Sequence, residues 1–386
     1  MEPFIDPISG GLKFVEKPNT KEEDAKKNAD INQQFQPRPS KLSLEERLQL
    51  CLSVGEECIN EKDLLECLKN KAMPVCYDGF EPCGRMHIAQ GILKCLNVNK
   101  LVDAGCIFVF WIADWFALMN HRFGGDINKI KTVGRYFVEV WKAVGMKLQN
   151  VKFVWASDEI NVRSDEYWTR VIDIARRNNI NRIKRCAPIM GRNEEEDLSV
   201  SQLLYPCMQC ADIFFLKADI CQLGMNQREV NMLAREYCDD VGIKEKPIIL
   251  SHHMLGGLKH EFDRMSAIFM EDTEVDVKMK VSGAFCPEKL VDGNPCLEYA
   301  KYIVFDALGE LFVERQEKYG GNKKYATFEQ LVEDYSTGAL HPCDLKPALV
   351  KAINKILQPV RDHFNNDPEA RKLFEQVRED RFTKPR

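Results

Sequence analysis

Ile107-Phe-Val-Phe-Trp-Ile-Ala-Asp114 decides the fold class, because this apolar run lacks the alternation of a strand with one solvated face. A strand buried on both faces is typical of a parallel sheet that helices cover on both sides. Three other runs also read as strands: Pro74–Phe80, Asn150–Ser157 and Pro247–Ser251. Helical patterns separate the runs, so the sequence predicts an α/β fold with parallel strands and right-handed crossovers.

Composition divides the chain into three parts. Residues 1–43 are mostly polar from Lys17 onward, and we expect a flexible tail there. Residues 44–285 carry the alternating strands and helices and predict a Rossmann-type sheet. Residues 286–386 show helical patterns only, so we expect an all-helical second domain that Pro359 interrupts near its end.

The 386 residues carry a net charge of −5, and 45% of them are hydrophobic, as is ordinary for a globular protein with an extensive core. This charge argues against a protein that coats nucleic acid over its whole surface, although it permits a local basic face. Basic residues do cluster between Arg176 and Arg185, where a solvated surface is the default interpretation.

Fifteen cysteines are scattered through apolar runs, and no secretory segment opens the chain. We therefore expect free thiols and a cytosolic protein. Cys207-Met-Gln-Cys210 has the spacing of a zinc or redox pair, but no second pair or nearby histidine completes it, so no bound metal is predicted. The apolar run Cys106–Met119 is too short for a bilayer, and no membrane association is expected.

Tyr205-Pro-Cys-Met-Gln209-Cys-Ala-Asp212 is the strongest candidate for a binding site. In a helix these residues place a phenol, an amide and a carboxylate on one face, at positions i, i+4 and i+7. Apolar neighbours would bury that helix, and buried polar groups are costly unless they are hydrogen-bonded. Either the three groups satisfy one another or nearby backbone, or they form a pocket for a polar ligand.

A second candidate site follows the first strand, in Tyr77-Asp-Gly79-Phe-Glu-Pro-Cys-Gly84-Arg-Met-His87-Ile-Ala-Gln90. His87 would lie at the amino end of a helix, where free N–H groups and the helix dipole attract anions such as phosphate. The spacing fits neither a Walker loop nor a dinucleotide fingerprint, and a surface histidine is the plain alternative.

His87-Ile-Ala-Gln90 stands where class I aminoacyl-tRNA synthetases carry their HIGH signature. From about Leu52 to Phe364 the chain resembles the tyrosyl-tRNA synthetases of the eukaryotic cytosolic kind, close to plant and protozoan members. Further motifs match in the same order: Trp111–Ala117, Ile189–Arg192, Tyr205–Asp212, Ala234–Asp239 and Leu357–Arg361. The resemblance implies a dimeric tyrosine–tRNA ligase, with a class I catalytic domain at 44–285 and an anticodon-binding domain at 286–386.

The resemblance also implies roles for the tyrosine site. Tyr77 and Asp212 would hold the phenolic hydroxyl of the substrate. A competitor without that hydroxyl would leave both groups unpaired, which is costly when they are buried. The amino end would be held by Tyr205, Gln209 and Gln227, with Asp114 lining the pocket nearby. An indole offers no phenol that could satisfy both Tyr77 and Asp212, so the resemblance favours tyrosine over tryptophan.

The implied chemistry is in-line attack by the tyrosine carboxylate on the α-phosphate of ATP, which expels pyrophosphate. The tyrosyl group then passes to the terminal adenosine of tRNA-Tyr. A carboxylate is already ionised, so positioning and charge stabilisation are expected to carry catalysis, with Mg²⁺ on the polyphosphate. The implied catalytic residues are His87, Gln90, Arg264 and Ser266. The implied ATP-binding residues are Gly79, His87, Gln90, Asn226 and Met265.

In the second domain the resemblance implies an anticodon reader. Tyr319 and His341 would sandwich a base, and Asp344 would accept a hydrogen bond from its Watson–Crick edge, as RNA loops are commonly read. The alternative is an ordinary helix start at His341-Pro-Cys-Asp344, with Asp344 as the capping residue.

Two positions depart from the family pattern. The lysine-rich KMSKS loop keeps Arg264-Met265-Ser266 and then continues directly into Ala-Ile-Phe269, so its second lysine is absent. A catalytically impaired relative that binds tyrosine or structured RNA is therefore the alternative function. Asn226 stands where the family usually carries an aspartate for the ribose, and we expect weakened rather than abolished nucleotide binding.

Overall fold

A computed structural model describes residues 2–5, 12–15, 31–259 and 266–379, with backbone only for the first two segments. Among these residues the strands are β1 (Glu2–Ile5), β2 (Leu12–Val15), β3 (Glu57–Ile59), β4 (Val75–Phe80), β5 (Ile107–Ile112), β6 (Val151–Trp155), β7 (Ile220–Cys221), β8 (Ile248–Ser251), β9 (Leu311–Val313) and β10 (Lys323–Tyr325).

The α-helices of the described residues fall into two groups along the chain. Those before the predicted domain boundary are α1 (Leu44–Leu52), α2 (Glu61–Asn70), α3 (Lys94–Asp103), α4 (Asp114–Met119), α5 (Ile127–Val144), α6 (Ala156–Val162), α7 (Ser164–Arg177), α8 (Ile180–Lys184), α9 (Val200–Phe215), α10 (Arg228–Val241) and α11 (Glu274–Ser282). Those after it are α12 (Pro295–Tyr299), α13 (Asp306–Leu308), α14 (Phe328–Thr337), α15 (Pro342–Asn366) and α16 (Pro368–Glu379).

Six strands form the central sheet in the order β3-β8-β7-β4-β5-β6. All neighbours are parallel except β3, which runs antiparallel to β8. The α/β prediction is confirmed, and the four predicted strands correspond to β4, β5, β6 and β8. The two- and three-residue strands β7 and β3 escaped the sequence patterns because they are too short to show any periodicity.

The sheet separates two hydrophobic cores, which explains why β5 shows no polar alternation. Phe108 and Phe110 point into one core, whereas Val109 and Trp111 point into the other. All four side chains are buried. A strand whose alternate residues enter different cores must be apolar throughout, as the run at 107–112 is.

The part of the chain after Phe285 is mostly helical, but it is not all-helical as predicted, because it contains the short antiparallel hairpin β9–β10. The expected interruption at Pro359 is wrong, because α15 continues through Pro347 and Pro359 to Asn366. Pro359 is exposed, so water can bind the carbonyl that loses its helical partner.

Residues 32–38, which the sequence placed in a flexible tail, lie against the edge of the sheet. The side chain of Asn32 donates to the carbonyl of Phe153 and accepts from its N–H, both at 2.9 Å. Asn150 makes the equivalent pair of bonds to the backbone of Arg38. The contacts of Asn32 satisfy backbone groups on the open edge of β6, and those of Asn150 satisfy the backbone of Arg38.

The two predicted domains share one hydrophobic core. Tyr136 in α5 packs against Phe364 in α15, with ring centroids 5.7 Å apart. The boundary at 285/286 remains a prediction from composition. In the ranges that the structure describes, no helix is both long enough and apolar enough to cross a membrane.

Candidate active site

The candidate site lies at the carboxyl end of β4, which pairs with β5 on one side and β7 on the other. The chain leaves β4 toward β5 and β6 and later returns to β7, so the strand order switches direction beside β4. Parallel sheets bind ligands at such a switch point, because the neighbouring loops diverge and leave a crevice.

Asp212 is a buried carboxylate of the predicted site, with 1% of its surface exposed. Its Oδ1 accepts a 2.7 Å hydrogen bond from Tyr167 Oη, and its Oδ2 lies 3.5 Å from Tyr77 Oη. Burial raises the pKa of Asp212 well above its usual range, and the bonds from the two phenols oppose that shift. Burial therefore favours the neutral acid, and the two phenols only partly offset that preference.

Tyr167 was missed by the sequence analysis. It lies on α7, outside every matched motif, yet it makes the shorter of the two bonds to Asp212. A signal was present, because Tyr167, Val171 and Ile174 form the i, i+4, i+7 buried face of that helix. A tyrosine hydroxyl at the first position of a buried helix face needs a buried hydrogen-bond acceptor.

Tyr205 binds a carboxylate that the sequence analysis also missed. Its hydroxyl donates to Oε2 of Glu81 at 3.3 Å. Glu81 also accepts from Asn120 Nδ2 at 3.2 Å and pairs with Arg122. Burial raises the pKa of Tyr205, and the charge on Glu81 adds to that shift.

Gln209 donates from Nε2 to Oε1 of Gln227 at 2.8 Å, so the helix α9 and the turn after β7 meet at this end of the site. The helix thus presents Tyr205, Gln209 and Asp212 along one face, as predicted. Each of the three binds a group on a different element of the fold. Their hydrogen bonds run to other elements of the fold, so the three side chains do not form a closed network within the helix.

Asp114 lies where β5 ends, and its carboxylate is fully buried. It accepts from Ser157 Oγ at 2.5 Å, from Ser157 N–H at 2.9 Å and from Trp115 N–H at 2.9 Å. These bonds join the ends of β5 and β6. Asp114 therefore braces the carboxyl edge of the sheet, a role that the sequence did not indicate.

His87 precedes an irregular helix start rather than the regular helix that the sequence predicted. Residues 89–93 form a π turn before α3 begins at Lys94. The Gln90 side chain accepts from the N–H of His87 at 3.4 Å, and Gln90 C=O accepts from Trp141 Nε1 at 2.9 Å. Such turns are frequent at functional sites because they redirect side chains.

Two glycines keep the backbone near this edge free of side chains. A Cβ at Gly79 would lie 3.2 Å from Tyr77 Oη, which is a crowded approach. A Cβ at Gly224 would lie 2.7 Å from Oδ1 of Asn226, in the turn Met225–Gln227. Gly79 and Asn226, both predicted to bind ATP, thus lie at the carboxyl ends of the adjacent strands β4 and β7.

A buried ion pair between Asp78 and Lys94 supports this edge of the sheet. Lys94 Nζ also donates to the carbonyl and to Oε1 of Gln222, at 2.8 and 2.6 Å, and Gln222 lies 3.0 Å from Nδ1 of His252. Burial raises the pKa of Asp78 to about 6 and lowers the pKa of Lys94, and the ion pair opposes both shifts. The network links the ends of β4, β7 and β8 to α3.

Two predicted ATP-loop residues, Arg264 and Met265, lie outside the described residues. Ser266, predicted to be catalytic, is 8% exposed, and its Oγ accepts from the N–H of Lys259 at 3.2 Å. This bond holds together the two described ends that flank residues 260–265.

The predicted anticodon residues lie at the start of α15 and in the turn before β10. His341 is the residue that caps α15, since its Nδ1 accepts from Cys343 N–H at 3.1 Å. The alternative in which Asp344 is the cap is therefore wrong. Arg315 bonds to the carbonyls of Gly321 and Ala339, at 3.1 and 2.8 Å, and so connects the turn after the exposed Tyr319 to the segment before His341.

Comparison with known proteins shows which family the chain belongs to. The sequence model of the family "tRNA synthetases class I (W and Y)" matches residues 69–358. "Tyrosine–tRNA ligase 1, cytoplasmic" of Arabidopsis thaliana is 58% identical over 347 residues, which cover 88% of this chain and 90% of the relative.

The chain belongs to the class I tyrosyl-tRNA synthetases, the tyrosine–tRNA ligases.

Two further relatives of this synthetase are longer than the chain. "Tyrosine–tRNA ligase 2, cytoplasmic" of Arabidopsis thaliana is 57% identical over 95% of the chain and 50% of the relative. Tyrosyl-tRNA synthetase of Leishmania major, solved with tyrosinol, is 49% identical with a TM-score of 0.83, over 89% of the chain and 53% of that chain. The synthetase spans about half the length of these two proteins.

We predict that Tyr167→Phe weakens tyrosine binding by this synthetase about five- to tenfold, because Asp212 loses a buried hydrogen bond. The matched control is Tyr237→Phe, which removes a 2.8 Å bond from a tyrosine hydroxyl to Asp173 on the same helix α7. Equilibrium dialysis with labelled tyrosine measures both variants. Equal affinities for the two would contradict a role of Tyr167 in the site.

Proposed function

We propose that this synthetase activates L-tyrosine with ATP and then transfers the tyrosyl group to the terminal adenosine of tRNA-Tyr, using the site at the end of β4. The observation that carries the proposal is Asp212, a buried carboxylate that faces the phenols of Tyr77 and Tyr167. A site built around phenolic hydroxyls is suited to a substrate that carries one.

Recognition of the substrate hydroxyl is assigned to Tyr77 and Asp212. Their oxygens are 3.5 Å apart, well beyond the 2.7–2.8 Å typical of O–H···O bonds, so they bind each other weakly. Both groups can therefore turn toward a third hydroxyl. Phenylalanine would leave the Tyr77 hydroxyl and Oδ2 of Asp212 without the partner that tyrosine supplies, and each such loss in a buried place costs about 1–3 kcal/mol.

The amino end of tyrosine is assigned to Tyr205, Gln209 and Gln227. The amide pair of Gln209 and Gln227 offers oxygen acceptors to an ammonium group. Tyr205 donates its hydroxyl hydrogen to Glu81, whose charge is balanced by Arg122, so the hydroxyl oxygen of Tyr205 is the acceptor that it offers to the ammonium group.

The reaction needs no base, since the substrate carboxylate attacks in its ionised form. His87 and Gln90 are assigned to stabilise charge on the phosphoryl oxygens, and Gly79 and Asn226 to line the ATP site. Across the residues described, no group of three or more metal-ligating side chains is found, so Mg²⁺ would be held chiefly by the phosphate oxygens of ATP. Bound there, it would neutralise polyphosphate charge.

Three further assignments complete the proposal. Tyr319, His341 and Asp344 read the anticodon of tRNA-Tyr. A second copy of the chain forms a homodimer, an assignment that rests on the resemblance to the family alone. The cytoplasm is the proposed location, since both Arabidopsis relatives are named cytoplasmic.

Tyrosine-dependent ATP–pyrophosphate exchange tests the proposed activity. We expect turnover with tyrosine, and a kcat/KM for phenylalanine lower by at least about 100-fold, since two buried groups lose their partner. Exchange that proceeds equally with phenylalanine would contradict the assignment of Tyr77 and Asp212. A folded protein that binds tyrosine but shows no exchange would favour the impaired relative, whose ATP loop is shortened.

We predict that Asn226→Asp lowers the KM for ATP about three- to tenfold, because a charged acceptor binds ribose hydroxyls more strongly than an amide does. The same exchange assay measures the effect, and the KM for tyrosine should stay unchanged. An ATP KM identical to that of the unaltered protein would show that Asn226 does not contact the nucleotide.

A further inference from the structure

The anchor segment, residues 268–272, is bonded directly to the backbone around the signature histidine. His87 forms an antiparallel bridge with Phe269. Two hydrogen bonds flank the histidine, from Ile88 N–H to Ile268 C=O at 2.7 Å and from Met270 N–H to Met86 C=O at 3.0 Å. The position of His87 is therefore tied to the position of the anchor segment.

Side-chain packing strengthens this attachment. Met270 is fully buried against Gly91, where a Cβ would lie 2.2 Å from the methionine sulfur. Only glycine permits so close an approach, and interiors packed at this density transmit displacements. A shift of the anchor segment would therefore move the π turn that begins two residues after His87.

Arg85 clamps the same segment through its charge. Its guanidinium donates to Glu271 Oε2 and to Asp272 Oδ1, each at 3.1 Å, and lies 4.5 Å above the ring of Phe269. The side chains of Arg85 and Asp272 are only 12% and 4% exposed. Buried ion pairs of this kind are costly to break, because the remaining charge loses its partner.

Arg361 reaches the anchor segment from the second domain. It lies near the end of α15, and its Nε donates to the carbonyl of Asp272 at 2.8 Å while Nη2 donates to Asn354 Oδ1 at 2.6 Å. Lys280 of α11 donates to Oδ2 of Asp272 at 2.5 Å. Asp272 thus accepts hydrogen bonds from Arg85, from Lys280 of α11 and from Arg361 of α15.

The helix that carries Arg361 also carries His341 and Asp344, the proposed anticodon readers, at its other end. We propose that Arg361 and Arg85 are positioning residues, which hold His87 in place through the anchor segment and so make the ATP site depend on how α15 is seated. The kinetic part of this inference rests on the proposed function. The proposed tyrosine groups belong to β4, α4, α7, α9 and the turn Met225–Gln227, none of which includes the anchor segment.

Hydrogen–deuterium exchange tests the attachment without reference to activity. In Arg361→Ala we expect backbone amides in residues 85–91 and 266–272 to exchange about tenfold faster, as for a local opening made about 1.4 kcal/mol easier. Amides of β5 should be unchanged. The matched control is Lys355→Ala, which removes an exposed charge from the same helix. Unchanged exchange at 85–91 in Arg361→Ala would overturn the proposal.

ATP–pyrophosphate exchange tests the consequence for function. Because the ATP site is displaced and the tyrosine site is not, Arg361→Ala should lower kcat/KM for ATP about tenfold or more and leave tyrosine affinity within about twofold. Arg361→Lys keeps the charge but not the fork of donors, and should show a smaller effect of the same kind. An equal loss of tyrosine affinity would indicate general destabilisation and overturn the positioning role.

Failure of this inference differs from failure of the proposed function. If the unaltered protein shows no pyrophosphate exchange, the proposed function fails, and hydrogen exchange alone decides whether Arg361 holds the anchor segment. If the unaltered protein is active and Arg361→Ala matches Lys355→Ala in both measurements, the positioning role is refuted while the activity stands.

Discussion

The structure depends on the burial of one carboxylate, Asp212. A carboxylate out of contact with water must be given hydrogen-bond donors, or it loses its charge. Tyr167 supplies one donor at 2.7 Å, and Tyr77 approaches at 3.5 Å. This requirement fixes the relative positions of β4, α7 and α9, because each contributes one of the three side chains. The same arrangement leaves Asp212 able to accept one more hydroxyl.

The carboxylate lies near the carboxyl edge of the central sheet. The strands end along one edge, where the chain diverges on either side of β4, and the polar groups of the site collect there. This edge is held together by the ion pair of Asp78 and Lys94 and by the bonds between Asp114 and Ser157. Tyr77, Tyr167 and Asp212 therefore lie on a strand and two helices, which favours precise placement of a substrate.

Periodicity and local chemistry were sufficient to predict the parallel sheet and the polar face of α9. The resemblance to the family predicted that Tyr77 and Asp212 lie in the same site, although 135 residues separate them in the sequence. No role was predicted for Tyr167, Glu81 or Arg361, although the last two lie in stretches that the sequence analysis singled out, because their partners come from distant segments and no local pattern specifies such pairs. The two-residue strand β7 is equally invisible to periodicity, yet it holds the centre of the sheet.

A crystal structure of the protein with bound tyrosine would test the central claim most directly. The account predicts that the phenolic oxygen of the ligand lies within about 3 Å of both Tyr77 Oη and a carboxylate oxygen of Asp212. It also predicts that Tyr167 keeps its bond to the other carboxylate oxygen. A ligand ring bound elsewhere, or a phenolic oxygen that contacts neither side chain, would contradict the account.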